Sequence, residues 1–452
     1  MFCKYKKLVC FPPYRTYSKT LAAKRLKLDL KPDEKFLISK EFKDYFSIEQ
    51  QEKVTLFPKR LFRKIQKPSE VYYLVGDDSA QKIASIMKQS ADPNIPIMEI
   101  NPGIGTLTKE FKKLGLNNIN LLEVSDTLHR NLQNTFTEFP CHREDFVGLW
   151  RLAYIDKQTN NNRVKKLLEI FPKRNWEENF SSRIFVATGS LAFYKHLVIS
   201  ILTDSTLFTR GRHEIYAVIP PILYFLLTST NKLGYIMYRS ISVLFQILFE
   251  YQLLTKLNRK DFLPWPAKRI VKKHLKLNQL KAIDSDSLYL IKIVPRKNIF
   301  EFCPHNQMNL LNFFIKQNLI SRKNRVIPSL ERWIPFAGRD IILNDNQQEM
   351  PKILHGNNNL PSFCSHCYEL SKSDFYPNMN IFTEYGDLSP NQILTIFNTF
   401  RNLEGFKESS FITNMESQLM KQEVSEESIN DIEQADDEVS KHESSNDKAN
   451  KR

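Results

Sequence analysis

Three acids, Glu99, Glu123 and Asp145, close three successive apolar runs, and the first leads into the turn Pro102-Gly103-Ile104-Gly105. Glycine has no Cβ to hold a ligand away, so a Gly-x-Gly turn between a strand and a helix brings backbone N–H groups against a small molecule. Glu123 lies eighteen residues beyond Gly105. An acid at that point of a βαβ unit can accept both hydroxyls of an adenosine ribose. In the next connection, Asp145 is placed to accept from an adenine amino group and Phe146 to flank the ring. A dinucleotide fingerprint would carry a third glycine where Thr108 stands, which favours S-adenosylmethionine over NAD. One Gly-x-Gly is weak evidence alone. Three acid-tipped runs in series are more specific, with turn glycines and surface acids as the plain alternative.

Periodicity supplies the elements that must hold these groups. Strand patterns at 95–100, 118–124, 183–189, 212–219 and 288–295 alternate with helical ones at 106–114, 126–135 and from Ser190, as in a doubly wound α/β sheet. The stretch 239–254 reads as a helix merging into a strand, and 288–295 is expected to close the sheet. A polar insertion is expected near 150–182. Upstream, 71–88 reads as an extended piece and a helix, and 54–67 as a short helix beginning at Pro58. Beyond Phe300 the pattern is helical to about Phe406, with Ser389 a good N-cap and Pro390 suited to the first turn. The expected organisation is a transit peptide over 1–17, a basic arm over 18–69 and a Rossmann-like domain over 70–300. A small helical domain over 301–406 and a disordered acidic tail over 407–452 complete it.

The net charge is +15, yet residues 416–452 hold eleven acids and five bases, leaving +21 on the rest. A body that basic implies a polyanionic partner, nucleic acid first. Lys59, Arg60, Arg63, Lys64 and Lys67 share one face of a helix, and Lys268, Arg269, Lys272, Lys273 and Lys276 repeat the spacing. Each stripe is either a phosphate contact or a solvated face. Trp265, between two prolines, is a stacking platform or a core aromatic. Six cysteines make no disulfide framework, and Cys364-Ser-His-Cys367 lacks a second pair at zinc spacing, so no metal site is expected. The first 28 residues carry eight Lys or Arg and no acid, with Arg15 two residues before a Tyr17–Ser18 bond, as in a matrix-targeting segment. The longest apolar run, 215–227, is split by Pro220-Pro221 and is too short to span a bilayer.

The run Glu99–Thr108, then Glu123, then Asp145-Phe146 resembles the rRNA adenine dimethyltransferase family, and the likeness extends over most of residues 70–345. It implies a class I S-adenosylmethionine-dependent methyltransferase fold with a small C-terminal helical domain. "VYYLVGDDSAQKI" is similar to the family's N-terminal cofactor motif, which implies Tyr72 and Leu74 against the methionine end. "NFFIKQNLISRKNRVI" is similar to the first helix of the C-terminal domain and implies a basic pair, Arg322-Lys323, for nucleic acid. The N-terminus and "LYLIKIVPRKNIF" most resemble the mitochondrial transcription factor B branch, and its second paralogue above all. Active members carry Asn-Leu-Pro-aromatic at the end of the fourth strand, to hold and stack a flipped-out adenine. Here Thr188-Gly189-Ser190 stands in that place, with Phe193 and Tyr194 following late. Without an oriented acceptor little methyl transfer is expected, and no catalytic residue is assigned.

The resemblance then implies a transcription initiation factor for the single-subunit mitochondrial RNA polymerase, acting on promoter DNA in the matrix nucleoid. Mitochondrial transcription factor A and small-subunit rRNA are further implied partners, and a membrane is not. A working rRNA dimethyltransferase and an RNA-binding mitoribosome assembly factor remain the competing readings.

Overall fold

Strands β2 (Ile97–Ile100), β5 (Ser182–Ala187) and β6 (His213–Ile219) are buried at every residue, as central parallel strands covered on both faces must be. They belong to a computed structural model that describes residues 45–58, 61, 70–90, 92–159, 161–232, 235–264, 286–346 and 376–424. With β3 (Ile119–Leu122), β4 (Cys141–His142), β7 (Phe249–Asn258) and β9 (Ser287–Pro295) they form a seven-stranded sheet in the order β4-β3-β2-β5-β6-β9-β7. All neighbours are parallel except at β9, which runs antiparallel to both β6 and β7. The 288–295 strand therefore inserts beside the edge strand and does not close the sheet, since β7 holds the edge. A two-stranded pair, β1 (Tyr73–Leu74) with β8 (Phe262–Leu263), stands apart. Because β2 lies between β3 and β5, the chain reverses its direction of travel across the sheet there. The C-terminal ends of those strands are where such a sheet binds ligands.

Alternation along the strands sends side chains into two cores. Ile97, Leu121, Phe185 and Ala187 enter one, beneath the helices Asp77–Gln89 and Thr106–Lys113. Met98, Leu122, Ile184 and Val186 enter the other. That second core runs without a break into Phe302, Phe314, Phe397 and Phe411, and the described residues from Phe46 onward pack as one unit. The 300/301 boundary is thus a change of secondary structure and not a gap in packing.

Two other expectations are corrected. The 150–182 stretch contains the helices Leu149–Thr159 and Arg163–Glu169, and Leu167, Leu168 and Phe171 anchor it in the core. The tail from 407 is not uniformly disordered. A helix covers Ser410–Val424, and Phe411, fully buried, lies 5.0 Å from Phe313 and 5.5 Å from Phe400 between ring centroids. Burying one such ring stabilises by about 1.5–3 kcal/mol, which offsets part of the roughly 1–2 kcal/mol per residue that ordering the backbone costs. Residues 425–452 lie outside the described residues, as do 1–44. The Ser389 cap is present as a full capping box with Gln392.

Candidate cofactor site

The loop after β2 curls because Asn101, Gly103 and Gly105 all take left-handed backbone angles, with φ of 54°, 66° and 77°. At Gly105 a Cβ would stand 2.2 Å from the Phe136 ring, so only glycine closes this turn onto the helix Thr106–Lys113. The turn delivers the Gly103 N–H to Glu123 Oε2 at 3.1 Å. Glu123 Oε1 accepts from Ser125 N–H at 2.8 Å and from the Tyr73 hydroxyl at 3.3 Å. The acid at the end of β3 thus ties three segments together, and it is fully buried.

Glu99 sits one strand over, buried in β2, where Thr108 Oγ1 donates to its Oε2 at 2.8 Å. Burial pushes its carboxyl up to about 8, with the Thr108 bond opposing and the Glu123 charge adding to the rise. Asp145 accepts from Gly148 N–H at 2.8 Å and meets Arg151 at 3.4 Å. Phe146 is stacked on Phe171 at 5.5 Å and tilted to Phe193 at 5.9 Å, buried in the core. Its ring is taken up by these core contacts and does not stand open to flank a base.

The N-terminal cofactor motif lands one residue out of phase with the expectation. Tyr72 and Leu74 point into the core shared with Phe262 and Leu290, and the Arg259 guanidinium lies 4.9 Å over the Tyr72 ring. Tyr73, on the opposite face, is the residue that reaches Glu123. A two-residue strand offers too little periodicity to tell its faces apart, and pairing with Phe262 and Leu263 decides it. Phe57 tilts against Tyr73 at 5.5 Å, and a Cβ on Gly103 would meet its ring at 3.0 Å. The segment 46–58 is therefore built onto the glycine loop. Its helix Ile48–Thr55 carries a Ser47–Gln50 capping box, and Asp261 anchors it by accepting from Gln50 at 2.8 Å and from Ser79. Asp261 also excludes a Cβ at Gly76. Sequence patterns carried no signal for Asp261, whose partners lie up to 211 residues away. The charged portion beyond Pro58, with Lys59, Arg60, Arg63, Lys64 and Lys67, lies outside the described residues.

Two buried oxygens on the loop, Asn101 Oδ1 and Thr106 Oγ1, have no hydrogen-bond partner among the described residues. Buried polar atoms are rarely left so, and a polar ligand at the glycine turn would satisfy them. Glu123, the glycine turn and these two groups fit the adenosyl part of S-adenosylmethionine. Access to Glu123 requires Tyr73 and Phe57 to yield.

Beside this site, β5 ends in Thr188-Gly189-Ser190. The Thr188 hydroxyl donates to Glu70 O and accepts from Ser190 N–H, and Gly189 N–H also donates to Glu70 O, at 3.3 Å. Val71 bridges Thr188 in antiparallel fashion. Ser190 Oγ caps the next helix through Phe193 N–H. Each side-chain oxygen here is turned inward. Phe193 and Tyr194 lie buried in the helix Leu191–Leu202, as expected, and Tyr194 OH has no partner among the described residues.

Of the nucleic-acid candidates, Lys323 is exposed, while Arg322 is half-buried with its guanidinium 4.3 Å over Tyr235. Lys268, Arg269, Lys272, Lys273, Lys276 and Trp265 lie outside the described residues, as do Cys364, His366 and Cys367. Among the described residues no cluster of three His, Cys, Asp or Glu could hold a metal, and no helix is long and apolar enough to cross a membrane.

The strand order, with β9 antiparallel between β6 and β7, and the acid-tipped glycine loop define a class I S-adenosylmethionine-dependent methyltransferase fold. The Drosophila melanogaster protein "Dimethyladenosine transferase 2, mitochondrial" is 36% identical to this chain over 386 residues, covering 83% of this chain and 85% of the relative. The chain accordingly belongs to the dimethyladenosine transferase family. Among solved structures, the 23S rRNA methyltransferase ErmE covers 73% of this chain and 100% of its own, at 13% identity and a TM-score of 0.38. A dimethyladenosine transferase from Plasmodium falciparum covers 73% and 98%, at 12% and 0.40. Superpositions this loose carry no functional argument. No family model matches the chain.

Proposed function

We propose that this protein is a mitochondrial transcription initiation factor on a dimethyltransferase scaffold, with methyl transfer weak or lost. One observation carries the reading: Thr188 and Ser190, where an active enzyme needs outward acceptors for an adenine amine, spend their oxygens on Glu70 and on the following helix. When bound, S-adenosylmethionine supplies an electrophilic methyl group. This chain's part would be to align an amine with it, and the side-chain oxygens of Thr188 and Ser190 are committed elsewhere. In this reading the basic body holds promoter DNA opened by the single-subunit mitochondrial RNA polymerase in the matrix nucleoid. Lys59, Arg60, Arg63, Lys64, Lys268, Arg269, Lys272, Lys273, Lys276 and Lys323 supply the charge. Transcription factor A and small-subunit rRNA are secondary partners.

A second reading, an active mitochondrial rRNA adenine dimethyltransferase, is favoured by the intact Gly103–Glu123 bond and by the relative's name. Promoter-dependent transcription with purified polymerase on linear DNA separates the two. Transcript that depends on this protein supports the first. Its absence, together with adenine methylation in a small-subunit rRNA hairpin, establishes the second.

A further inference from the structure

Arg151, in the first turn of the helix Leu149–Thr159, touches two acids that belong to opposite sides of the cofactor crevice. Its Nη2 lies 3.3 Å from Glu70 Oε2 and 3.4 Å from Asp145 Oδ2. Asp145 follows β4. Glu70 is fixed at the end of β5: its carbonyl accepts from the Thr188 hydroxyl and from Gly189 N–H, and the next residue, Val71, bridges Thr188. In the sheet, β3 and β2 lie between β4 and β5, and their ends carry Glu123 and the glycine turn. Three inter-strand steps span about 14 Å, yet the two carboxylates meet on a single nitrogen. One guanidinium therefore joins the two flanks of the crevice.

The surroundings favour this meeting. Asp145 Oδ1 accepts from Gly148 N–H at 2.8 Å, which leaves Oδ2 for Arg151. A Cβ at Gly148 would stand 2.2 Å from Oδ2 and displace it. The guanidinium lies 5.4 Å over the Trp150 ring, a second attraction that holds it in place. The side chains of Arg151, Glu70 and Asp145 are 47%, 45% and 31% exposed. Ion pairs this open add little to stability and are screened by salt. They can part without disturbing the core, as a piece that opens and shuts must.

We propose that Arg151 is the clasp of the cofactor crevice. Closed on Glu70 and Asp145 it slows exchange of the adenosyl ligand, and open it lets the ligand pass. It acts through the two acids, as a positioning residue. The proposal rests on the cofactor reading of the glycine turn and not on the transcription reading.

Release of labelled S-adenosylmethionine from the full chain, chased with excess S-adenosylhomocysteine, tests it at about 50 and about 500 mM KCl, between which the screening length falls roughly threefold. Wild-type release should quicken with salt. Arg151→Met should release at least about fivefold faster at the lower salt and lose the salt dependence. Glu70→Ala, which keeps the carbonyl held by Thr188, should match it, and Arg151→Lys should recover part of the retention. Amide exchange without ligand is the second readout: Arg151→Met should speed exchange at both Gly148 and Gly189, one on each flank. Binding with unchanged release in Arg151→Met, Glu70→Ala behaving like wild type, or exchange altered on one flank alone contradicts the clasp. A wild type that binds no S-adenosylmethionine overturns the cofactor reading itself, and the retention with it.

Discussion

The backbone N–H of Gly103 donates to the carboxylate of Glu123, twenty residues away, at 3.1 Å. Through that bond the acid expected from the sequence to accept ribose hydroxyls holds the glycine turn in shape. Glu123→Ala should therefore do two things. It should weaken S-adenosylmethionine binding by roughly 1–3 kcal/mol, and it should lower the melting temperature by leaving the Gly103 and Ser125 donors unsatisfied. Calorimetry on Glu123→Ala and Glu123→Gln separates these, since Gln retains an acceptor. Equal affinity in all three proteins would remove Glu123 from the site.

Phe57 and Tyr73 cover the same turn. Phe57→Ala should tighten S-adenosylmethionine binding on the order of threefold or more, because the covered state no longer subtracts from the binding-competent population. Titration calorimetry reads this directly. Unchanged or weaker affinity would make Phe57 a wall of the pocket and not its cover.

Glu99 makes a pH prediction. Its folded carboxyl is pushed up to about 8, against an ordinary value of 4.5. Between those values the native state keeps a proton that the unfolded chain has lost. Its contribution is complete below about 4.5 and is lost as pH rises through about 8, at a slope of up to about 1.4 kcal/mol per pH unit. Glu99→Gln, which keeps an acceptor for Thr108, should flatten this part of a urea-unfolding series between pH 5 and 8. Parallel profiles for the two proteins would contradict it.

Phe411 anchors a segment whose composition is that of a free tail. Phe411→Ala should cost about 3–5 kcal/mol, seen as a lower urea midpoint. A change under about 0.5 kcal/mol would mean the helix Ser410–Val424 adds nothing to the core.

These cases show what the sequence held and what it did not. Strands β2, β3, β5 and β6 and the helix Asp126–Thr135 were legible because long apolar runs and 3.6-residue periods are local signals. That Glu123 would meet the glycine turn was legible from its distance to Gly105. The face of Tyr73, the place of β9 inside the sheet and the docking of Phe411 depend on partners distant in sequence, so no local pattern encodes them. Asp261 belongs to the same group. Phe146 followed the family spacing, yet Phe171, in what reads as a polar insertion, draws its ring into the core.

On the proposed reading, the end of β5 no longer supports adenine methylation. The most direct measurement is transfer of labelled methyl from S-adenosylmethionine to a small-subunit rRNA hairpin by the purified wild-type protein, beside an active dimethyltransferase. Incorporation should stay at background while cofactor binding remains measurable by calorimetry. Stoichiometric dimethylation of adjacent adenines would contradict it, and would show that Thr188–Ser190 can be rearranged to hold the base.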